Sequence, residues 1–152
     1  MEDSLLAALQ KAKHYCAHQE RCHAEVREKL YSFSLHKNEV EQLLTLLIEE
    51  DFLNEERFAI AYAGGKFRIK HWGKEKIKYS LKQKRVSDYC IRKALAAINN
   101  SDYNKTFNTQ ADKKLQTLRS EKNIFIKKKK MKDYLQQKGF EIKLINDYLK
   151  AL

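Results

Sequence analysis

Proline is absent from this chain of 152 residues, and glycine occurs only four times. Sandwiches, barrels and glycine-rich nucleotide-binding folds need both residues in their tight turns, so these classes are excluded. Tryptophan appears once, and cysteine three times without framework spacing. An odd, unpatterned set of cysteines suits reduced thiols in a cytosol. No apolar run approaches the roughly 18–20 residues that a membrane-spanning helix needs. The acidic start Met1-Glu2-Asp3-Ser4 leads straight into an amphipathic stretch, so no signal peptide is expected and the expected location is the cytoplasm. What remains is 43% hydrophobic and 34% charged. That is enough apolar material for a core, in the composition of an all-α protein.

The net charge of +11 is unevenly distributed. Residues 1–53 hold 6 Lys and Arg against 10 Asp and Glu, a net of −4; residues 54–102 hold 12 against 5, or +7; residues 103–152 hold 13 against 5, or +8. An acidic first third joined to a basic remainder makes a polarised molecule whose basic part attracts polyanions.

Self-comparison reveals a repeat. Val26, Leu30, Leu35, Val40 and Leu44 recur as Ile77, Leu81, Val86, Ile91 and Leu95, each displaced by 51 positions. They recur again as Met131, Leu135, Phe140, Ile145 and Leu149, displaced by a further 54. The constant 4-5-5-4 spacing describes two turns of helix, a bend sealed by the middle apolar residue, and two turns of a second helix. A further helical stripe precedes each copy: Leu5, Leu6, Leu9, Ala12 and Cys16; then Phe58, Ala59, Tyr62 and Ala63; then Tyr103, Phe107, Ala111, Leu115 and Leu118. Asp3 or Ser4 is placed to cap the first and Asn54 the second, while Ser87 can cap the helix through Leu95. Gly139 stands where a left-handed C-cap belongs, and Asn99-Asn100-Ser101 reads as a hinge. The expectation is nine helices in three tandem three-helix repeats, at residues 1–53, 54–100 and 101–152. Stacked repeats of this size give an elongated, curved, solenoid-like molecule.

Reactive chemistry is sparse. His14, His18 and Cys22 fall at i, i+4 and i+8, but they share a helix face only if the helix runs past Gln19, where it is expected to end; no metal site is expected. Cys22 and His23 are adjacent, and neighbouring helical side chains diverge by about 100°, poor geometry for a dyad. Gly64-Gly65-Lys66 lacks the frame of a phosphate loop and follows a helical stripe. Glu49-Glu50-Asp51 reads as a solvated helix end. No acid–base constellation stands out, so the chain reads as a non-enzyme without cofactor.

The basic residues are more ordered. Lys74, Lys78, Lys82 and Arg85 follow at spacings of 4, 4 and 3, beside the Ile77–Leu81 core face. Like charges at i, i+4 disfavour an isolated helix, which a polyanion or an acidic protein groove would offset; a solvated face is the alternative. Lys127-Lys128-Lys129-Lys130 encircle the start of the third repeat's middle helix, and phosphate contact and solvation both fit them. Trp72, among Arg68, Lys70 and Lys74, can stack on a base, although a corner residue packed between helices is the preferred reading.

The run Leu53-Asn54-Glu55-Glu56-Arg57-Phe58-Ala59, with Tyr62 following, resembles the Leu-Asp-Asp-x-Arg-Phe-Ala signature of the RecX family. Trp72-Gly73-Lys74 through Ile77 and Leu81 to Lys84-Arg85-Val86 is similar to that family's Gly-x-x-x-Ile-x-x-x-Leu-x-x-Lys-Gly-Ile/Val segment, and Arg21 through Leu30 to its first-repeat segment. Two departures stand out: Asn54-Glu55 replaces the acidic pair but keeps its capping chemistry, and Arg85 stands at the family's glycine. The resemblance implies three-by-three helices and a non-enzymatic regulator, and a monomer is expected. It would bind the RecA recombinase or its filament on DNA, lying in the filament groove and restraining recombinase, ATPase and co-protease activity. Lys74, Lys78, Lys82, Arg85, Arg68 and Lys127–Lys130 are the candidate contacts to that filament or to DNA phosphate. Arg57, Phe58 and Ala59 form the family motif and are read as structural, with Arg57 pairing to a carboxylate. A stand-alone repeat protein that holds DNA or RNA by the phosphate backbone is the alternative.

Overall fold

The computed structural model describes residues 2–152, and among them the chain forms nine α-helices and no strand. They are α1 (Asp3–His18), α2 (His23–Tyr31), α3 (Lys37–Glu49), α4 (Glu55–Lys70), α5 (Lys74–Gln83), α6 (Asp88–Ala96), α7 (Asn100–Thr117), α8 (Ile124–Gln137) and α9 (Ile142–Lys150). The chain divides into two compact units. One takes the chain up to Ala61 together with Leu81–Ala94, and the other takes Tyr62–Ser80 and Leu95–Leu152.

The repeating apolar pattern is the core. Of its fifteen members all are buried except Leu35 and Leu95, which are half-exposed. In the first unit, Leu5, Leu9, Ala12 and Cys16 of α1 close over Val26 and Leu30 of α2 and over Val40, Leu43, Leu44 and Leu47 of α3. Burying one such aliphatic side chain is worth about 1.5–3 kcal/mol. In the second unit the interior is aromatic: Tyr103 packs on Phe67 and Phe140, and Phe107 meets Phe140 and Tyr148 edge-on, with ring centroids 5.1–5.9 Å apart. Such tilted and T-shaped pairs set the partly positive edge of one ring against the negative face of the next. Leu115, expected in the α7 stripe, is only half-buried; Gln110 is buried instead and accepts a hydrogen bond from the Tyr134 hydroxyl at 3.4 Å.

Four of the helix starts are fixed by Asn or Ser side-chain caps. Asn54 Oδ1 accepts the Arg57 N–H at 2.9 Å, Ser87 Oγ accepts the Cys90 N–H at 3.3 Å, and Asn123 Oδ1 accepts from both Phe125 and Ile126. Two sequence expectations need correction. Glu2, not Asp3 or Ser4, occupies the N-cap of α1, and it makes no side-chain cap bond. Asp3 instead lies in the first turn, where a carboxylate still complements the helix dipole. Asn99 is the N-cap of α7, with its side chain accepting the Asp102 N–H at 3.0 Å. Asn100 and Ser101 are therefore helical, and the expected hinge is a capped helix start.

A left-handed residue follows the middle helix in each repeat. Ser34, Arg85 and Gly139 have φ of 62°, 61° and 96°, and they sit at the same 51- and 54-residue displacements as the core pattern. After α5 and α8 the chain closes with N–H bonds from Val86 to the Leu81 carbonyl and from Phe140 to the Leu135 carbonyl, both at 3.1 Å. These are the six-to-one bonds of a helix terminated by a left-handed residue.

Candidate partner-binding surface

Within α5 the core face is Ile77 and Leu81, both wholly buried. Lys74, Lys78 and Lys82 recur at every fourth position, so they share one flank of this helix. Lys78 and Lys82 are exposed, and among the described residues neither has a carboxylate within ion-pair range. Lys74 is half-buried, with its ammonium 4.8 Å from the centre of the Tyr103 ring. Arg85 does not continue the flank. The helix ends at Gln83, and Arg85 lies beyond it in the left-handed turn. A spacing of 3 looks helical in sequence, but the left-handed residue ends the helical register.

Arg85 thus occupies, as arginine, a conformation that glycine adopts freely. The left-handed region costs an L-residue roughly 1–2 kcal/mol, part of which is offset by the greater unfolded-state entropy of glycine. Arg85→Gly should therefore stabilise the protein by about 1 kcal/mol, read as a higher midpoint in denaturant-induced unfolding. A variant no more stable than wild type would show that the arginine side chain offsets its own strain.

The other cations separate by environment. Arg68, exposed on α4, folds its guanidinium back over Gly64, where an added Cβ would lie 2.7 Å from it. Lys127–Lys130 all lie inside the first two turns of α8. Lys129 pairs with Asp133 at 2.9 Å and Lys130 approaches Glu121 at 3.9 Å, while Lys127 and Lys128 are half-buried. The four therefore do not present one face. Ile124, Phe125 and Ile126, immediately before them, are exposed.

Trp72 is half-buried, with two ammonium groups near its ring, Lys66 at 5.1 Å and Lys76 at 4.7 Å from the ring centre. Sequence proximity sets Arg68, Lys70 and Lys74 around Trp72 but does not reveal these two. Positions 66, 72 and 76 straddle the break between α4 and α5, so no helical period links them. Beside them, Lys138 donates to the Lys70 carbonyl at 3.1 Å. Burial, with the charge of Lys76 second, holds the Lys138 ammonium below the usual lysine range.

Two residues of the Arg-Phe-Ala motif lie in the interior and the arginine at its margin. Phe58 and Ala59 are buried. Arg57 donates through Nε to Glu20 at 2.5 Å and through its terminal nitrogens to the Asp51 carboxylate and carbonyl, each at 3.2 Å. It thereby ties the loop after α1 to the turn after α3, where Asp51 has φ 63°. The hydrogen bond to Glu20, foremost, raises the already high pKa of Arg57. At the His14–Cys22 segment α1 ends at His18 and Cys22 caps α2, so the continuous face needed for metal ligation does not form. Among the described residues no cluster of three or more His, Cys, Asp or Glu could hold a metal ion, and no helix is long and apolar enough to cross a membrane.

Comparison with known proteins agrees with this architecture. Residues 54–95 match the family model described as RecX, second three-helix domain, and residues 101–149 match that of the third three-helix domain. Together they span more than half of the chain. Proteins named Regulatory protein RecX are similar along much of it. The one from Clostridium acetobutylicum is 29% identical over 99% of this chain and 71% of its own length. The one from Clostridium perfringens strain 13 is 30% identical over 84% of this chain, which spans 60% of that relative. The crystal structure of RecX from Lactobacillus salivarius superposes with a TM-score of 0.88 at 26% identity, covering 100% of this chain and 98% of that one. With its helices in the same order and its sequence matched by two of the family's domains, this chain belongs to the RecX family of regulatory proteins, not to a family of enzymes.

Proposed function

We propose that this protein binds the RecA recombinase, as its filament on DNA, and restrains the filament's recombinase, ATPase and co-protease activities without chemistry of its own. It would act as a cytoplasmic monomer built from three tandem repeats. Family membership supplies the class of function. The observation that carries the contact is the exposed, unpaired flank of α5 at Lys78 and Lys82. Surface cations are most often paired or scattered, whereas these are aligned and repel one another, a local cost that an anionic partner removes.

The test compares wild type with Lys78→Glu/Lys82→Glu in a filament-binding assay at two ionic strengths, alongside RecA-driven ATP hydrolysis on single-stranded DNA. Neither position belongs to the core face, so helicity should be unchanged. Filament affinity of the variant should fall by about tenfold or more at low salt, and the gap should narrow as salt rises. Equal binding by two folded proteins would reduce the flank to a solvated face. Tight, salt-dependent binding to DNA without RecA, and no effect on ATP hydrolysis, would favour a stand-alone nucleic-acid-binding protein.

A further inference from the structure

The acidic first third of the chain contains a cationic groove that its net charge of −4 conceals. Between α1 and α2, inside the first unit, a groove of about 530 Å³ is lined by Lys11, His14 and His18 of α1, Arg21 of the following loop and Lys29 of α2, over the rings of Tyr15 and Phe33. Residues 1–53 possess six Lys and Arg, and three of them converge here. Of the others, Lys13 pairs with Glu50 at 2.8 Å and Arg27 with Glu41 at 2.9 Å, both away from the groove. The ten carboxylates of this segment contribute none to the lining; the nearest ion pair is the long one from Arg21 to Glu25 at 3.9 Å.

The cations are held in place. The Arg21 guanidinium stacks on Tyr15 at 3.8 Å from the ring centre, and its Nε donates to the Tyr15 carbonyl at 3.1 Å. Its side chain is only 12% exposed. Lys29 lies 5.2 Å from the Tyr15 ring and 5.9 Å from Phe33, and Lys11 lies 5.5 Å from Phe33 on the other side of the groove. Lys11, His14 and His18 follow at i, i+3 and i+7 along one face of α1. Aromatic walls with a few convergent, pre-positioned polar groups, in a space of this size, describe a small-ligand site. A fork of guanidinium donors with two ammonium groups at hand matches the oxygens of a phosphate.

We propose that this groove binds the phosphate of a nucleotide, free or within a single strand. This goes beyond the regulation of RecA and does not depend on it, because it uses different residues on a different helix pair.

The test titrates the full-length protein by calorimetry with thymidine triphosphate and with a short oligothymidylate. Lys11→Gln/Lys29→Gln removes two charges while keeping an uncharged polar side chain at each position, and circular dichroism checks that it remains helical. Binding of thymidine triphosphate should weaken by about tenfold in this variant and stay at the wild-type level in Lys78→Glu/Lys82→Glu. Displacement of the triphosphate by the oligonucleotide supports the site and identifies a strand as one source of the phosphate. Binding without displacement supports it and identifies the free nucleotide. Binding by neither probe, equal binding by wild type and Lys11→Gln/Lys29→Gln, or binding only of an acidic peptide such as polyglutamate overturns it. If Lys11→Gln/Lys29→Gln loses nucleotide but still slows RecA-driven ATP hydrolysis, the two readings are separated.

Discussion

Gly139→Ala should destabilise the protein by about 3 kcal/mol or more, the sum of a left-handed backbone cost of roughly 1–2 and an overpacking cost of roughly 1–3. Gly139 has φ 96°, and a Cβ there would lie 2.2 Å from Lys76 Cβ and 2.7 Å from the Lys76 nitrogen. Across the same contact, a Cβ on Gly73 would lie 2.3 Å from both the carbonyl carbon and the oxygen of Gly139. Neither collision involves the movable tip of a side chain. Backbone must shift, and it is backbone already engaged: the Gly73 N–H donates to the Lys138 carbonyl at 2.7 Å, and the Glu75 N–H to the Gly139 carbonyl at 2.9 Å. The carbonyls just past the end of α8 thus satisfy N–H groups at the start of α5. Gly73→Ala should cost a comparable amount through the clash and the loss of these bonds. A domain of this size has only about 5–15 kcal/mol in reserve. Gly65→Ala is the internal control: a Cβ added there would meet nothing within 4 Å, and inside α4 alanine should add about 0.5–1 kcal/mol. Denaturant midpoints for the three variants check the set, and a Gly139→Ala protein with the wild-type midpoint would mean that the contact relaxes without cost.

That contact marks where sequence reading stops. The core was legible because burial imposes a period: Ile77, Leu81, Val86, Ile91 and Leu95 repeat the first copy without a gap, and the helices follow. The left-handed turn was legible at Gly139, where the residue type announces it, but not at Ser34 or Arg85, where an ordinary side chain tolerates the strain. For that reason spacing alone extends the cationic flank to Arg85, although the helix that carries it ends at Gln83. Lys78 and Lys82 needed only the wheel of one helix to be placed beside Ile77 and Leu81. The groove at Arg21 and Lys29 and the two lysines around Trp72 were invisible, because each joins residues from two helices across a loop. Segment charge even argued against the groove, since a sum over fifty residues hides three cations gathered at one place.

Alkaline solution should destabilise this protein in two phases, and their order identifies the groups responsible. Burial pushes the Cys22 thiol from 9.0 up to about 11; it also donates to Glu25 at 3.1 Å. Burial and a hydrogen bond to Asp112 push the Tyr148 hydroxyl from 10.0 up to about 12. Burial again, and then donation to Glu141, push Tyr103 further still; its oxygen also accepts the Lys74 N–H at 2.9 Å, joining α7 to the starts of α5 and α9. Each of these acids holds its proton more tightly folded than unfolded. Above the unfolded-state value the unfolded chain therefore binds fewer protons than the native one, and stability falls as pH rises. The contribution is present in full below pH 9 for the thiol and pH 10 for the phenols, and is lost as pH climbs toward the folded values of about 11 and 12. The slope is about 1.4 kcal/mol per pH unit for each group in its window, so the decline begins with the thiols and steepens once the tyrosines join, among them Tyr15, whose hydroxyl burial also raises. Unfolding free energy measured by denaturant titration should fall progressively faster above pH 9, set against a smaller opposing gain from Lys138, whose lowered value favours the native state as pH rises toward the usual lysine range. Cys22→Ala should remove most of the loss between pH 9 and 10, leaving the part due to Cys16, whose thiol burial also raises, and should leave the steeper phase intact. Tyr103→Phe should keep the early decline and make the later one shallower, leaving the parts due to Tyr148 and Tyr15, while lowering stability at neutral pH by about 1–3 kcal/mol because Glu141 and the Lys74 N–H lose their shared partner. Stability that stayed level to pH 11 would mean that these three side chains reach water far more readily than their packing allows.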